Sequence, residues 1–426
     1  MDQGNTAFLL ISAALVLLMT PGLAFFYGGL VKAKSVVSMM MMSFGALGLI
    51  GVLWVIYGYA IAFPGAEGTL FPWMIDWSAV GLESLVLDAA DPAGDYPVLA
   101  FAAFQATFAI ITVALISGAI ADRAKFGAWM VFAGIWATVV YFPVASWVFN
   151  FGLADDGSFA YGGWITHGLQ DAFGVGVIDF AGGTAVHINA GAAALALALV
   201  LGKRVGFQKG AYTPHNPPFV LLGAGLLWFG WFGFNAGSEL AADGTASLVF
   251  INTIAAPAAA LLAWLVVEKL RNGKATSVGA ASGAVAGLVA ITPACGALTP
   301  MFAILLGLIA GAVCAVAIDL KFALGFDDSL DVVGIHLVGG LIGTLYLGFF
   351  ANNTGLFMSG FDPAQLGVQA IAAFAVLIYS FVLAYVIGFA IEKTMGFRVK
   401  NEDEIAGIDT VVHGEEAYLF EDKARA

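Results

Sequence analysis

The feature that most limits how this chain can fold is a series of apolar runs, each of about 20 residues, that recurs from end to end. A helix of that length crosses the roughly 30 Å hydrocarbon core of a bilayer. Of the 426 residues, 61% are hydrophobic and 11% are charged, whereas soluble domains average about 25% charged residues. The alternating polarity of membrane β-strands is missing from the sequence. The chain is therefore predicted to be an all-α polytopic membrane protein.

Hydropathy predicts eleven transmembrane helices, followed by a polar tail at residues 393–426. The predicted spans are 7–31, 36–63, 97–121, 127–149, 179–201, 219–238, 247–267, 276–293, 299–319, 331–350 and 366–392.

The basic residues divide the connections between these spans into two sets. All 16 Lys and Arg lie in alternate connections or in the tail. Cytoplasmic connections carry the excess of Lys and Arg, so the N-terminus is predicted outside and the C-terminus in the cytoplasm, across the cell membrane. The net charge of −13 and the lack of a basic patch argue against nucleic-acid binding.

Two buried histidines occur in matching places. His187 follows Asp179 by eight residues in span 5, and His336 follows Asp328 by eight residues at span 10. Spans five apart in order run in opposite directions, which is typical of inverted repeats with a site near mid-membrane. We therefore predict two five-helix repeats, at about residues 7–201 and 219–350, with helix 11 outside them.

Ionisable residues inside a membrane indicate function, although a histidine bonded to nearby backbone is the simpler alternative. Two histidines without a neighbouring carboxylate or thiolate form a poor metal site, so no metal is expected. Phe108, Phe234 and Ser238 could form a cation–π site at the outer end of the same path, or the rings could belong to an interfacial aromatic belt. From the residues alone, the path suits a small cation or its neutral form.

Motifs throughout the chain resemble those of the ammonium transporter family, which includes methylammonium permeases and Rhesus proteins. They include "PGLAFFYGGLV", "DFAGGTAVHINAG", "WFGFNAGS", "DVVGIH" and "GIDTVVHGEEAY". The resemblance is closest to the bacterial, archaeal and plant-type branch. It implies a transporter of ammonium for nitrogen uptake, with no cofactor and no enzymatic activity.

The resemblance also implies roles for individual residues. Phe108 and Phe234 would form a stacked gate, Ser238 would belong to the outer ammonium site, and Asp179 would support that site from behind. The twin histidines, His187 and His336, would line the pore below the gate together with Trp231.

The outer site departs from the family pattern at one position. The stretch "YFPVASWVF" has Phe149 where the family usually has a tryptophan. Because phenylalanine has a weaker cation–π face, the site is expected to bind ammonium less tightly, unless Trp147 takes its place through a local shift.

The resemblance further implies partners and leaves the mechanism open. It implies a homotrimer in the lipid bilayer, methylammonium as a possible second substrate, and a cytoplasmic regulatory tail at 393–426 to which a PII-type signalling protein could dock. Ammonium could be deprotonated and cross as ammonia, with the proton following electrogenically. The alternatives are an electroneutral ammonia channel and an ammonium sensor.

Overall fold

The computed structural model describes residues 1–65, 75–87, 95–153, 159–208 and 213–418, without the side chains of residues 87, 153, 159 and 160. Within these residues, ten helices are long and apolar enough to cross a membrane. They are α1 (Gln3–Leu30), α2 (Val36–Ala62), α3 (Val98–Ile120), α4 (Phe126–Phe149), α5 (Gly183–Leu201), α6 (Pro217–Glu239), α7 (Gly244–Asn272), α9 (Pro300–Leu324), α10 (Val333–Phe350) and α11 (Ala364–Thr394), with the shorter apolar helix α8 (Ser277–Ile291) between α7 and α9.

Each predicted span coincides with one of these helices, although α8 has only 15 residues. The total of eleven spans and their orientation in the membrane stay predictions. The largest boundary difference is at α7, which was expected at 247–267. The Asp243 carboxylate accepts a hydrogen bond from the Ala246 N–H, so the helix begins before the predicted apolar run. Its polar C-terminal turns continue beyond that run and end at Gly273, which has a left-handed conformation. Hydropathy cannot detect such solvated helix ends.

Short elements fill the connections. Strands β1 (Phe151–Leu153) and β2 (Phe159–Gly162) pair antiparallel after α4. Short helical segments lie at Trp77–Leu82, Glu83–Leu87, Trp164–Gly168, Leu169–Phe173, Asn401–Ala406 and Asp409–His413.

One end of the bundle carries the basic connections and is called the basic end below. There Arg204, after α5, binds Asp122 from the end of α3 and Asp327 from before α10. In the tail, Arg398 pairs with Glu404, whose carboxylate also accepts from the Val205 N–H at 2.7 Å. The tail is therefore tied to the same end of the helices.

Two further contacts hold the tail against the basic end. The Asp409 carboxylate accepts from the N–H groups of Val37 and Ser38 at 3.0 and 2.8 Å, which caps the first turn of α2. The Tyr418 hydroxyl lies 2.9 Å from Nε2 of His215, just before α6. The tail thus contacts helix ends from both halves of the chain.

The other helix ends meet at the opposite end of the bundle. The Ala242 N–H, between α6 and α7, donates to the Asn5 side chain at 2.9 Å. The Ile178 N–H, before α5, donates to the Gln369 side chain of α11 at 2.7 Å. The connection between α6 and α7 and the segment before α5 therefore lie at the end opposite to the tail contacts.

Helices α5 and α10 cross closely through a reciprocal pair of glycines. A Cβ on Gly191 would lie 2.5 Å from the Leu337 backbone nitrogen, and a Cβ on Gly340 would lie 3.1 Å from the Ile188 side chain. Each glycine lies four residues after one of the two histidines. Because the contacts pair 188 with 340 and 191 with 337, the helices run antiparallel here, as inverted repeats require.

Candidate functional site

The carboxylate of Asp179 caps the first turn of α5. It accepts hydrogen bonds from four consecutive backbone N–H groups and from the Thr184 hydroxyl; the N–H groups belong to Gly182, Gly183, Thr184 and Ala185. A carboxylate offers about four acceptor positions, and these bonds occupy them. Asp179 can therefore act on a cation by its charge and by fixing the helix, but not as a direct ligand.

Asp328 has the corresponding place before α10. Its carboxylate accepts from the Val333 N–H at 2.7 Å, in the first turn of that helix. The eight-residue spacing from Asp to His is thus the spacing from a helix cap to a side chain two turns further on. This explains the repeated sequence pattern in terms of local structure.

His187 and His336 face each other in the centre of the bundle. Their Nδ1 atoms lie 3.2 Å apart, and both side chains are buried. Each lies in a π-helical turn, Gly183–Ile188 in α5 and Val333–Leu337 in α10. One Nδ1 must donate and the other accept, so one Nε2 is left as an acceptor and the other as a donor. Nε2 of His187 has no hydrogen-bond partner among the described residues.

A narrow cavity borders the two imidazoles. Its volume of about 10 Å³ is close to the least that holds one water molecule. Among the described residues, its lining is apolar apart from the two histidines and Trp231. The Trp231 ring stacks on His187 at 5.5 Å, and its indole N–H donates to the Thr292 hydroxyl at 2.9 Å. The cavity therefore admits only a molecule with one or two heavy atoms.

Two stacked rings lie directly beside this cavity. Phe108 and Phe234 have centroids 4.1 Å apart and planes inclined by 16°, and both are buried. Phe234 is 6.1 Å from His187, while Phe108 is 6.3 Å from Phe149 on its other side. The three phenylalanines form a continuous series from the opposite end of the bundle to the histidines.

Above the rings a vestibule of about 520 Å³ opens at the opposite end. Three of the predicted outer-site residues line it: Phe149, Ser238 and Asp179. The Ser238 hydroxyl donates to the Phe234 carbonyl at 2.8 Å, which fixes its position beside the gate.

Trp147 is not part of the vestibule lining. Its ring packs on Tyr379 and Trp164, at 4.6 and 5.5 Å, and is 6% exposed. Among the described residues, Phe149 and not Trp147 lines the vestibule.

The sequence reasoning missed two residues of this region. Glu239 lines the vestibule beside Ser238, and its place directly after a motif serine was a usable signal. Thr292 positions Trp231, but 61 residues separate them, and no local pattern shows such a contact.

A sequence model of the Ammonium Transporter Family matches residues 7–418. An ammonium transporter of Mycobacterium tuberculosis is 53% identical, over 98% of this chain and 91% of the relative. One from Bacillus subtilis is 43% identical, over 98% and 99%. The chain belongs to the Ammonium Transporter Family. The resemblance found in the sequence is thereby confirmed.

Solved structures agree with this assignment. A structure described as a sensor Amt protein has a TM-score of 0.85 at 28% identity, covering 96% of this chain and 98% of that one. Saccharomyces cerevisiae Mep2 has a TM-score of 0.82 at 33% identity, covering 94% and 91%. This member of the family is a multi-pass membrane protein of a transporter class, not an enzyme.

Proposed function

We propose that the protein transports ammonium and recruits it in the vestibule. The rings of Phe149 and Phe108 offer cation–π faces, and the Ser238 hydroxyl offers an oxygen acceptor. Asp179 contributes negative charge from behind, because its own oxygens are occupied by the cap of α5. Glu239 and Asp95 also line the vestibule and add two further carboxylates to it.

The proposed next step is loss of a proton at the gate. An ammonium ion entering the buried path would lose its water, at a cost of several kcal/mol even after relaxation. No charged side chain among the described residues lines the cavity to offset that cost. Release of the proton lets the nitrogen continue as neutral ammonia.

Ammonia then passes the two histidines. The observation that carries this proposal is the contact of 3.2 Å between the Nδ1 atoms, inside a cavity of about one water molecule and next to the stacked rings. The two Nε2 atoms supply a donor and an acceptor along an otherwise apolar path. The same imidazoles can relay the proton, which makes the net transport electrogenic.

Two alternatives use the same path. If the proton returns to the outside, the protein is an electroneutral ammonia channel. The second alternative is an ammonium sensor. It is supported by the likeness to the structure described as a sensor Amt protein.

The assembly and orientation are also proposals. We propose a homotrimer in the cell membrane with one pore in each subunit, the N-terminus outside and the basic end in the cytoplasm. Methylammonium is a possible second substrate. The ordered tail at the basic end supports a regulatory role, and a PII-type protein would dock on that face.

The test is current on a solid-supported membrane after an ammonium concentration jump. We expect a saturable current in the wild type, a loss in Asp179→Ala and a changed current in His187→Ala. His167→Ala, which changes a histidine outside the pore that pairs with Asp171, serves as the control and should keep the current.

Two outcomes contradict the proposal. A silent wild type that still dissipates an ammonia gradient would establish the electroneutral channel. Bound ammonium with neither current nor gradient dissipation would establish a sensor.

A further inference from the structure

A second cavity lies beside the vestibule at the opposite end of the bundle and is called the side chamber below. Its volume is about 250 Å³. Half of its described lining residues are aromatic: Tyr59, Phe63, Tyr96, Phe101, Phe149, Phe151 and Tyr161. The proposed transport path does not use this space.

The rings of the side chamber are held in fixed positions by one another. Phe63 meets Phe101 edge to face at 4.9 Å, and Tyr59 packs on Phe63 at 5.2 Å. Tyr96 stacks on Phe101 at 6.3 Å. The lining therefore presents preformed aromatic surfaces, which attract a cation through the negative face of each ring.

Among the described residues that line the side chamber, Asp76 is the one with a charged side chain. The Asp76 backbone N–H donates to the Ala60 carbonyl at 3.0 Å, which fixes the residue at the end of α2. Its Oδ1 accepts from the N–H and hydroxyl of Ser78. The hydroxyl-bearing rings of Tyr59, Tyr96 and Tyr161 line the same cavity as Asp76. Negative charge and oxygen atoms thus meet at the aromatic wall.

We propose that the side chamber binds a small quaternary ammonium ion. Ammonium itself needs several oxygen acceptors, because it gives up strong hydration on all sides. A quaternary ammonium ion carries its charge under methyl groups and is recognised by aromatic surfaces with a nearby carboxylate. A cavity of about 250 Å³ accommodates such an ion, whereas the pore cavity of about 10 Å³ does not. The ion is therefore a ligand and not a transported substrate.

Phe149 links the side chamber to the proposed ammonium site. Its ring lines both the side chamber and the vestibule, and it contacts Phe108 of the gate. A bound quaternary ammonium ion would rest against this ring and add positive charge next to the vestibule. An effect of this charge on ammonium transport rests on the proposed function, whereas binding of the ion to the side chamber does not.

Binding is tested by calorimetric titration of the purified full-length protein with tetramethylammonium chloride in ammonium-free buffer. The neutral molecule tert-butanol, of similar shape, is the control ligand. We expect tetramethylammonium to bind and tert-butanol to give no heat of binding. Asp76→Asn should raise the dissociation constant about tenfold, because it removes the carboxylate charge and keeps an oxygen for the Ser78 N–H.

Two variants separate the side chamber from other sites. Asp362 resembles Asp76 in that its Oδ1 accepts a hydrogen bond from the N–H two residues later, that of Ala364, at 2.9 Å. Asp362→Asn removes the same charge away from the side chamber and should leave binding unchanged. Ser238→Ala alters the vestibule and not the side chamber, and it too should leave binding unchanged. The proposal is overturned if tetramethylammonium does not bind, if Asp76→Asn binds as well as the wild type, or if Ser238→Ala weakens binding and Asp76→Asn does not. Because no outcome depends on transport, failure here is distinguishable from failure of the transport proposal.

Discussion

Phe149 is the residue at which this family member differs from the pattern expected of the outer site. It lines the vestibule and contacts Phe108, so its ring is placed to face an arriving cation. We predict that Phe149→Trp lowers the ammonium concentration that gives half-maximal current by about two- to fivefold, because tryptophan has the strongest cation–π face. The measurement is the concentration dependence of the ammonium-induced current.

The matched control is Phe151→Trp. Phe151 lines the same vestibule but is 39% exposed, whereas Phe149 is 9% exposed and contacts Phe108. It should leave the half-maximal concentration unchanged. An equal shift in both variants would assign the effect to general aromatic character and not to position 149.

At the residue scale, a side-chain position can be read from the sequence where a local rule sets it. The spacing of Asp179 and His187 follows from a helix cap and two helical turns, so the sequence alone suffices. Trp147 and Phe149 differ by two residues, which is about 200° around a helix. Which of them faces the vestibule depends on how α4 packs, and that information is not local.

At the scale of helices, the crossing of α5 and α10 sets the distance between the histidines. We predict that Gly191→Ala lowers stability by about 1–3 kcal/mol, because the added Cβ meets the Leu337 backbone and forces the helices apart. The same displacement lengthens the contact between His187 and His336, so the ammonium current should fall. Thermal unfolding of the purified protein and the ammonium-jump current are the two measurements.

Gly225→Ala in α6 is the control for the glycine change itself. A Cβ there meets nothing within 4 Å, so alanine should stabilise the helix by about 0.5–1 kcal/mol and leave the current intact. If both alanine variants behave alike, helix propensity explains the result and the close crossing does not matter.

The positions of the helices were predictable because each apolar run is long and separated by polar connections. The short helix α8 was predicted as a full span, because hydropathy counts the residues after Ile291 that the structure places in turns. The strands β1 and β2 were not predicted, since two short strands in a connection give no pattern long enough to detect.

At the scale of the whole molecule, a buried ionic cluster at the basic end joins three distant parts of the chain. The Arg204 guanidinium donates two hydrogen bonds of 2.9 Å to Asp327 and one of 3.0 Å to Asp122. Burial alone would lower the pKa of Arg204, but Asp327 and Asp122 raise it above its ordinary value. Burial alone would raise the pKa of Asp327, but Arg204 and Arg123 hold it below its usual range. The cluster therefore stays ionised, and no sequence pattern predicts it, because 123 residues separate Arg204 from Asp327.

We predict that Asp327→Asn destabilises the protein by about 3–5 kcal/mol, because it leaves Arg204 and Arg123 buried with too little negative charge. Asp319→Asn removes the partner of Arg271 at the same end, in a pair about half exposed, and should cost less than about 1 kcal/mol. Thermal unfolding of both variants measures the difference. Asp327 also directly precedes Asp328, which caps α10, so the stronger destabilisation should come with a reduced ammonium current. Equal stability of the two variants would mean that solvent reaches the cluster and that it does not hold the helix ends together.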